Sequence, residues 1–243
     1  MEKKAISLVA VIGLIAAVGL VNVGPVVGSG PGHVRLVNAG LAAGSGHPRH
    51  SQDTGAGCDL TFAGSARKLV KLRSPDQTYK KQNDGTAISV ADFLSLVCTL
   101  DSKVTKPVPA TKPMEVEKLE VTIDAFIIAM KQDPDNDFHI QIADTADASA
   151  DQIIVEVPPG DAYCDARQNV HQLFVNDGGE SLTKYVFDTP PKVEIVGYLF
   201  LDSAHGGTKF CTNNGGRGIH INSDVSHVKG LWEIHPVISL KSI

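Results

Sequence analysis

Gly230-Leu231-Trp232-Glu233-Ile234-His235-Pro236-Val237 decides how the rest of the chain is read. Side chains alternate along a strand, so Trp232, Ile234 and Pro236 share one face while Glu233 and His235 share the other. The chain's only Trp is thereby assigned to a core, and an acid and an imidazole are left together on a polar face. Upstream segments repeat this division. Residues 119–130 set Leu119, Val121, Ile123 and Ala125 against Glu120, Thr122 and Asp124, then become apolar on both sides from Phe126, as a strand coiling into a barrel does. Pro134, Asp135 and Asn136 supply a turn. Residues 137–144 send Phe138, Ile140 and Ile142 inward and His139 and Gln141 outward. Residues 152–158 form a third strand, with Ile153, Val155 and Val157 opposite Ile154 and Glu156, stopped by Pro158-Pro159-Gly160.

Asp161 can cap a helix whose apolar face is Tyr163, Ala166, Val170, Leu173 and Phe174, ended by Gly178 and Gly179. Residues 193–202 form a fourth strand, broken at Gly197, and residues 203–229 form a long loop ahead of the Trp232 strand. Three strands, a helix, a strand, a loop and a fifth strand predict a mainly β chain with minor α content: a five-stranded OB-like Greek-key barrel with a helix between strands three and four.

The first half of the chain reads differently. Lys3 and Lys4 precede a nearly unbroken apolar run over residues 5–23, followed by Gly24, Pro25, Gly28, Ser29 and Gly30, so residues 1–29 are expected to be a signal peptide or an N-terminal anchor. Residues 30–57, rich in Gly, Ser and His, read as a flexible lead-in in which His33, His47 and His50 are solvated. Residues 58–102 form a small helical, disulfide-tied subdomain. Its helix is capped by Ser89 with Asp92 three residues on, and carries Phe93, Leu94, Leu96, Val97 and Leu100 on one face. Arg67, Lys68, Lys71, Arg73, Lys80 and Lys81 form a basic cluster that reads as a solvated face. Residues 103–118, with Pro107, Pro109 and Pro113 among lysines, make an extended linker to the barrel at 119–243.

Composition narrows the classes. At 243 residues, with 42% hydrophobic and 20% charged content, the chain has the means to bury a core and is not disordered throughout. Its net charge of −5 and 5% aromatic content rank nucleic acid low among partners. Cys58, Cys98, Cys164 and Cys211 are even in number and show no short metal-ligand spacing, which favours disulfides in an oxidising, extracytoplasmic setting. Of three possible pairings, Cys58–Cys98 and Cys164–Cys211 is the economical one, with one bridge on each side of the linker. Membrane contact is expected only through the N-terminal segment, if it is retained.

Four motifs occur in order over residues 119–243: Asp137-Phe138-His139, Ile154-Val155-Glu156-Val157-Pro158, Gly197-Tyr198-Leu199-Phe200-Leu201-Asp202-Ser203-Ala204-His205-Gly206, and Glu233-Ile234-His235-Pro236-Val237. In these motifs the chain resembles a family of uncharacterised exported bacterial proteins with an OB-like domain. The insert at 207–229, which carries Cys211, departs from that pattern. The resemblance implies the extent of the domain and the places of its motifs, and no activity.

Mapped onto the ligand face of an OB barrel, His139, Gln141, Glu156, Glu233 and His235 come together, with Asp202 and His205 at the rim. His139, Asp202, His205 and His235 are the candidate ligands for a divalent metal such as Zn, with an open position for water. Lys209 and Arg217, in the glycine-rich stretch 206–218, are candidates for an anion cradle. His220 and His227 flank Asp224 and read as exposed, as does His171. The opposing reading is structural: a solvated polar face, or an Asp202–His205–His235 cluster that pins the loop. Three function classes follow. The first is an exported OB-like binding module for an oligosaccharide, a protein or, ranked lower, a nucleic acid. The second is an extracytoplasmic metal-dependent hydrolase such as a phosphodiesterase. The third is a structural or assembly component of the cell surface.

Overall fold

A computed structural model describes residues 55–74, 79–206, 209–212, 216–221 and 226–243. The expected leader and most of the lead-in lie outside the described residues. The chain is mainly β with a few helices. In order, the elements are α1 (Lys68–Lys71), β1 (Lys80–Lys81), α2 (Val90–Leu100), β2 (Leu119–Gln132), β3 (Phe138–Ala143), β4 (Gln152–Val157), α3 (Cys164–Asn176), β5 (Tyr185–Val186), β6 (Lys192–Leu201) and β7 (Val228–Ser242).

The alternation in the sequence sets the pairing. β2 pairs with β3, β3 with β4 and β6 with β7, all antiparallel, while β4 and β7 run parallel. β2 is long enough to pair twice, first with β6 through Glu120 to Phe126 and then with β3 through Phe126 to Gln132. The path of pairings β2-β3-β4-β7-β6 therefore returns to β2. A register shift between Ile127 and Ala129 accompanies the change of partner, as the turning of a strand requires. Gly197 sits where β6 crosses β7 most closely: a Cβ there would lie 2.5 Å from Ile234 Cγ2 and 2.6 Å from the Pro236 carbonyl oxygen.

The inward residues form one apolar cluster that includes Val121, Ile123, Ile140, Val155, Ile195, Leu199, Trp232 and Ile234. α3 closes it with Ala166, Val170 and Phe174, joined by Tyr163 from the turn before the helix, and is stopped by Gly178, whose positive φ of 83° lets the Gly179 N–H return to the Phe174 carbonyl. α2 carries the predicted capping box, Ser89 Oγ accepting from the Asp92 N–H. Its Val90, Phe93, Val97 and Leu100 belong to the same cluster as the strands, and burying each contributes roughly 1.5–3 kcal/mol.

The cysteine pairing is corrected. The bridges are Cys58–Cys164 and Cys98–Cys211, separated by 106 and 113 residues, so both cross the segment expected to be a linker. The cause is packing: α2 docks on the strand core, and Asp101 at its end accepts from Trp232 Nε1 at 2.8 Å and from the Cys211 N–H at 3.1 Å, which places Cys98 beside the 209–212 segment. Two disulfides and no free cysteine among the described residues indicate an oxidising compartment. Among the described residues, no helix is long and apolar enough to cross a membrane.

Candidate functional site

The basic cluster is corrected in part, and this correction makes the site: Lys68, Lys80 and Lys81 are exposed as expected, and Arg67, Lys71 and Arg73 are not. Residues 55–74 lie across the polar side of the strands. Arg67 and Arg73 are buried, and the Lys71 side chain is 14% exposed. The Arg67 guanidinium donates to both carboxylate oxygens of Glu117 at 2.6 and 2.7 Å, and to the carbonyls of Pro109 and Leu201. Arg73 donates to the Val70, Glu117 and Leu199 carbonyls. Cys58 ties the start of this segment to α3. A run of lysines and arginines reads as solvated because a one-dimensional pattern does not show the acids and carbonyls that meet it.

Beneath this cover, the residues expected on an outward face are buried. His139, Gln141, Glu156, Glu233 and His235 are at most 6% exposed. His139 on β3 and Glu156 on β4 are register partners, so the sheet itself holds them side by side. Glu156 is the hub. Its Oε1 accepts from His139 Nδ1 at 3.0 Å, while its Oε2 lies 2.6 Å from His235 Nδ1 and 3.3 Å from Lys71 Nζ. His139 Nδ1 is also 3.2 Å from Asp133 Oδ2, and His235 Nε2 is 3.4 Å from Asp137 Oδ2. Lys71 reaches Asp135 and Asp137 as well.

A second half of the site comes from the end of β6. Asp202 pairs with His205 and, at 3.2 Å, with Arg217, and Arg217 also pairs with Glu233. The charged groups thus form one chain from His205 through Asp202, Arg217 and Glu233 to His235, Glu156 and His139. His139, Glu156, Asp202, His205, Arg217 and Glu233 line a cavity of about 530 Å³, together with Lys71, Asp133 and Phe200. That size suits a small molecule or the end of a longer one.

The charges respond to one another. Burial alone would lower the basicity of His139, but Asp133 and Glu156 outweigh it and push its pKa up to about 9. Burial and Lys71 both oppose protonation of His235, yet Glu156 and Asp137 raise it likewise to about 9. Burial would raise the Glu156 carboxyl, but His235, Lys71 and the hydrogen bond from His139 hold it well below the usual carboxylate range. Asp137 is pushed up to about 7 by burial against the pull of His235, and Glu233 is raised by burial and by Glu156 against Arg217. Lys71 keeps its proton: the acids around it outweigh its burial.

The predicted residues divide accordingly. The four proposed metal ligands do not converge on one point: His139 and His235 meet through Glu156, whereas Asp202 and His205 form a separate pair. Gln141 is tied to Gln152 and to the backbone of Ile219, and it does not line the cavity. Lys209 is exposed outside the cavity lining, and residues 207–208 and 213–215 of the glycine-rich stretch lie outside the described residues. Sequence reasoning missed Asp133, Asp135, Asp137 and Lys71 as site residues. The signal was present: Asp133-Pro134-Asp135-Asn136-Asp137 is an acid at every second position leading into His139, and it reads simply as a turn. Two groups have the composition and spacing to hold a metal ion, Asp133 with His139 and Glu156, and Asp137 with Glu156 and His235. Compared with known proteins, the chain matches no family model, no curated protein and no solved structure.

Proposed function

We propose that the protein is an exported OB-like module that binds a small polar ligand, or the polar end of a longer one, in the cavity between the strands and residues 55–74. The barrel reading is supported by the cyclic order β2-β3-β4-β7-β6, its parallel β4–β7 pair and the helix between β4 and β6, which is the connectivity of an OB-fold. Export is supported by the two disulfides and by the charged and apolar order of the first 29 residues. The ligand reading rests on one observation: side chains of both signs from six separated stretches converge on a single cavity while their neighbours are buried. The segment across the polar face leaves a pocket there, which favours a sugar or a charged chain end over a long strand of nucleic acid.

Isothermal titration against neutral and anionic oligosaccharides, short peptides and oligonucleotides tests this, using wild type and the cavity-lining variants His205→Ala and Lys131→Ala. The expected result is a small polar probe that binds the wild type and is weakened about tenfold or more by either variant, the loss of one good polar contact being worth about 1.4 kcal/mol. If no probe binds, or if binding is indifferent to both variants, the reading fails. A second reading, an extracytoplasmic metal-dependent hydrolase such as a phosphodiesterase, is favoured by the Asp202–His205 pair. There a carboxylate orients a half-exposed imidazole on the same cavity as a cluster of metal-ligand types, an arrangement suited to general-base work.

A further inference from the structure

We propose that Asp133, His139 and Glu156 hold one divalent first-row metal ion at the wall of the cavity. The three ligand atoms lie within 4.8 Å of one another. His139 Nδ1 stands 3.2 Å from Asp133 Oδ2 and 3.0 Å from Glu156 Oε1. Ligand atoms bonded to a common Zn²⁺ at about 2.0–2.2 Å sit roughly 3–3.6 Å apart, so both separations from His139 already suit a shared ion. Two of the ligands come from paired positions on neighbouring strands and the third from the turn that joins β2 to β3, which makes the site part of the rigid frame.

The rear group, Asp137 with Glu156 and His235, has the same composition but stands behind the cavity wall, close to Lys71. Lys71 Nζ is 3.3 Å from Glu156 and 3.8 Å from Asp137, and neither Asp137 nor His235 lines the cavity. All three residues of the front group do line it. Coordination positions beyond the third therefore face the space where a ligand enters.

Donor type argues the same way. Asp133, Asp135, Asp137 and Glu156 are met by the ammonium groups of Lys71 and Lys131 and by the imidazoles of His139 and His235. Two carboxylate oxygens and one imidazole suit Zn²⁺ or a neighbouring first-row ion better than Ca²⁺, which requires six to eight oxygens.

This inference rests on the reading of the cavity as the ligand's entry, and its test is separable from that reading. The full chain, prepared without a polyhistidine tag and stripped with chelator, is titrated calorimetrically with Zn²⁺, and the Co²⁺ form is examined for visible ligand-field absorption. One equivalent is expected to bind. His139→Ala and Asp133→Asn should each weaken it tenfold or more, and His205→Ala should leave it within threefold of wild type. Asp133 is half-buried and its amide keeps the shape, so that variant remains informative if His139→Ala does not fold. Less than one equivalent in wild type, binding indifferent to Asp133→Asn, or a Co²⁺ spectrum unchanged by it overturns the proposal. Organic probes that bind the metal-free protein in a His205-dependent way would then preserve the pocket reading without the ion, whereas stoichiometric metal with no probe bound would do the reverse.

Discussion

Glu117 is the residue whose loss should be felt most, and its cost can be worked from its contacts. Its side chain is fully buried and accepts from four donors: Arg67 Nη1 and Nη2 at 2.6 and 2.7 Å, the Met114 N–H at 2.8 Å and the Leu201 N–H at 3.0 Å. In Glu117→Gln an amide group replaces one carboxylate oxygen. Two of the four donors then face a donor, and the Arg67 guanidinium keeps its charge without a counterion. Breaking one side of a buried pair costs about 3–5 kcal/mol, most of it from the charge left behind. At roughly 2–4 °C per kcal/mol for a domain of this size, the melting temperature should fall by about 6–20 °C. Urea unfolding of the oxidised protein, followed by the fluorescence of the buried Trp232, measures the change. Arg67→Met combined with Glu117→Leu removes both charges together, and should cost at least about 2 kcal/mol less than the sum of the single losses. A Glu117→Gln variant within about 1 kcal/mol of wild type, or strict additivity in the double variant, would refute the claim that this pair fastens residues 55–74 to the strands.

Three further outcomes are expected. Non-reducing peptide mapping should recover Cys58 with Cys164 and Cys98 with Cys211, and replacing either pair with serine should cost about 2–5 kcal/mol, because each bridge closes a loop of more than 100 residues. Trp232→Phe removes the hydrogen bond to Asp101 and part of a fully packed ring. A loss of about 2–3 kcal/mol in circular-dichroism melts is expected, and Asp101→Asn, which keeps an acceptor, should lose less. Gly197→Ala should cost about 1–3 kcal/mol or more in the same assay, since its Cβ meets backbone and a branched side chain that have no room to retreat; a neutral result would mean the crossing of β6 and β7 is looser than the contacts imply.

The elements written in local chemistry were legible in the sequence. Alternation located β3 and β4 to within a residue, Ser89 and Asp92 marked the start of α2, and Gly178-Gly179 marked the end of α3. Relations between distant stretches were not legible. The short-range cysteine pairing fails because α2 packs on the same core as the strands, a contact that hydrophobic spacing announces without naming the partner. The polar faces of β3, β4 and β7 were located correctly and taken as solvated, because periodicity separates two faces of a strand and says nothing of what covers the second. Arg167 illustrates the same limit on α3: it is buried, with its guanidinium 3.7 Å from the centre of the Phe138 ring, reaching the carbonyls of Ala56 and Val157.

The cover over the polar face bears on function as well as on stability. Pairing charges in a protein interior rarely gains over apolar packing, because each ion first loses its hydration. A face that had only to be closed by residues 55–74 would be closed more cheaply by leucine and valine. The Arg67–Glu117 pair, satisfied on every side, is what a structural clasp requires. The groups around Glu156 are different in kind: two imidazoles share one carboxylate, Asp137 keeps a raised pKa beside them, and buried polar atoms lack hydrogen-bond partners. Local rules are broken there and kept elsewhere in the same fold, and a chain tolerates such a region where the unspent interaction has another recipient. The cavity that opens beside His139 and Glu156 is where that recipient would stand.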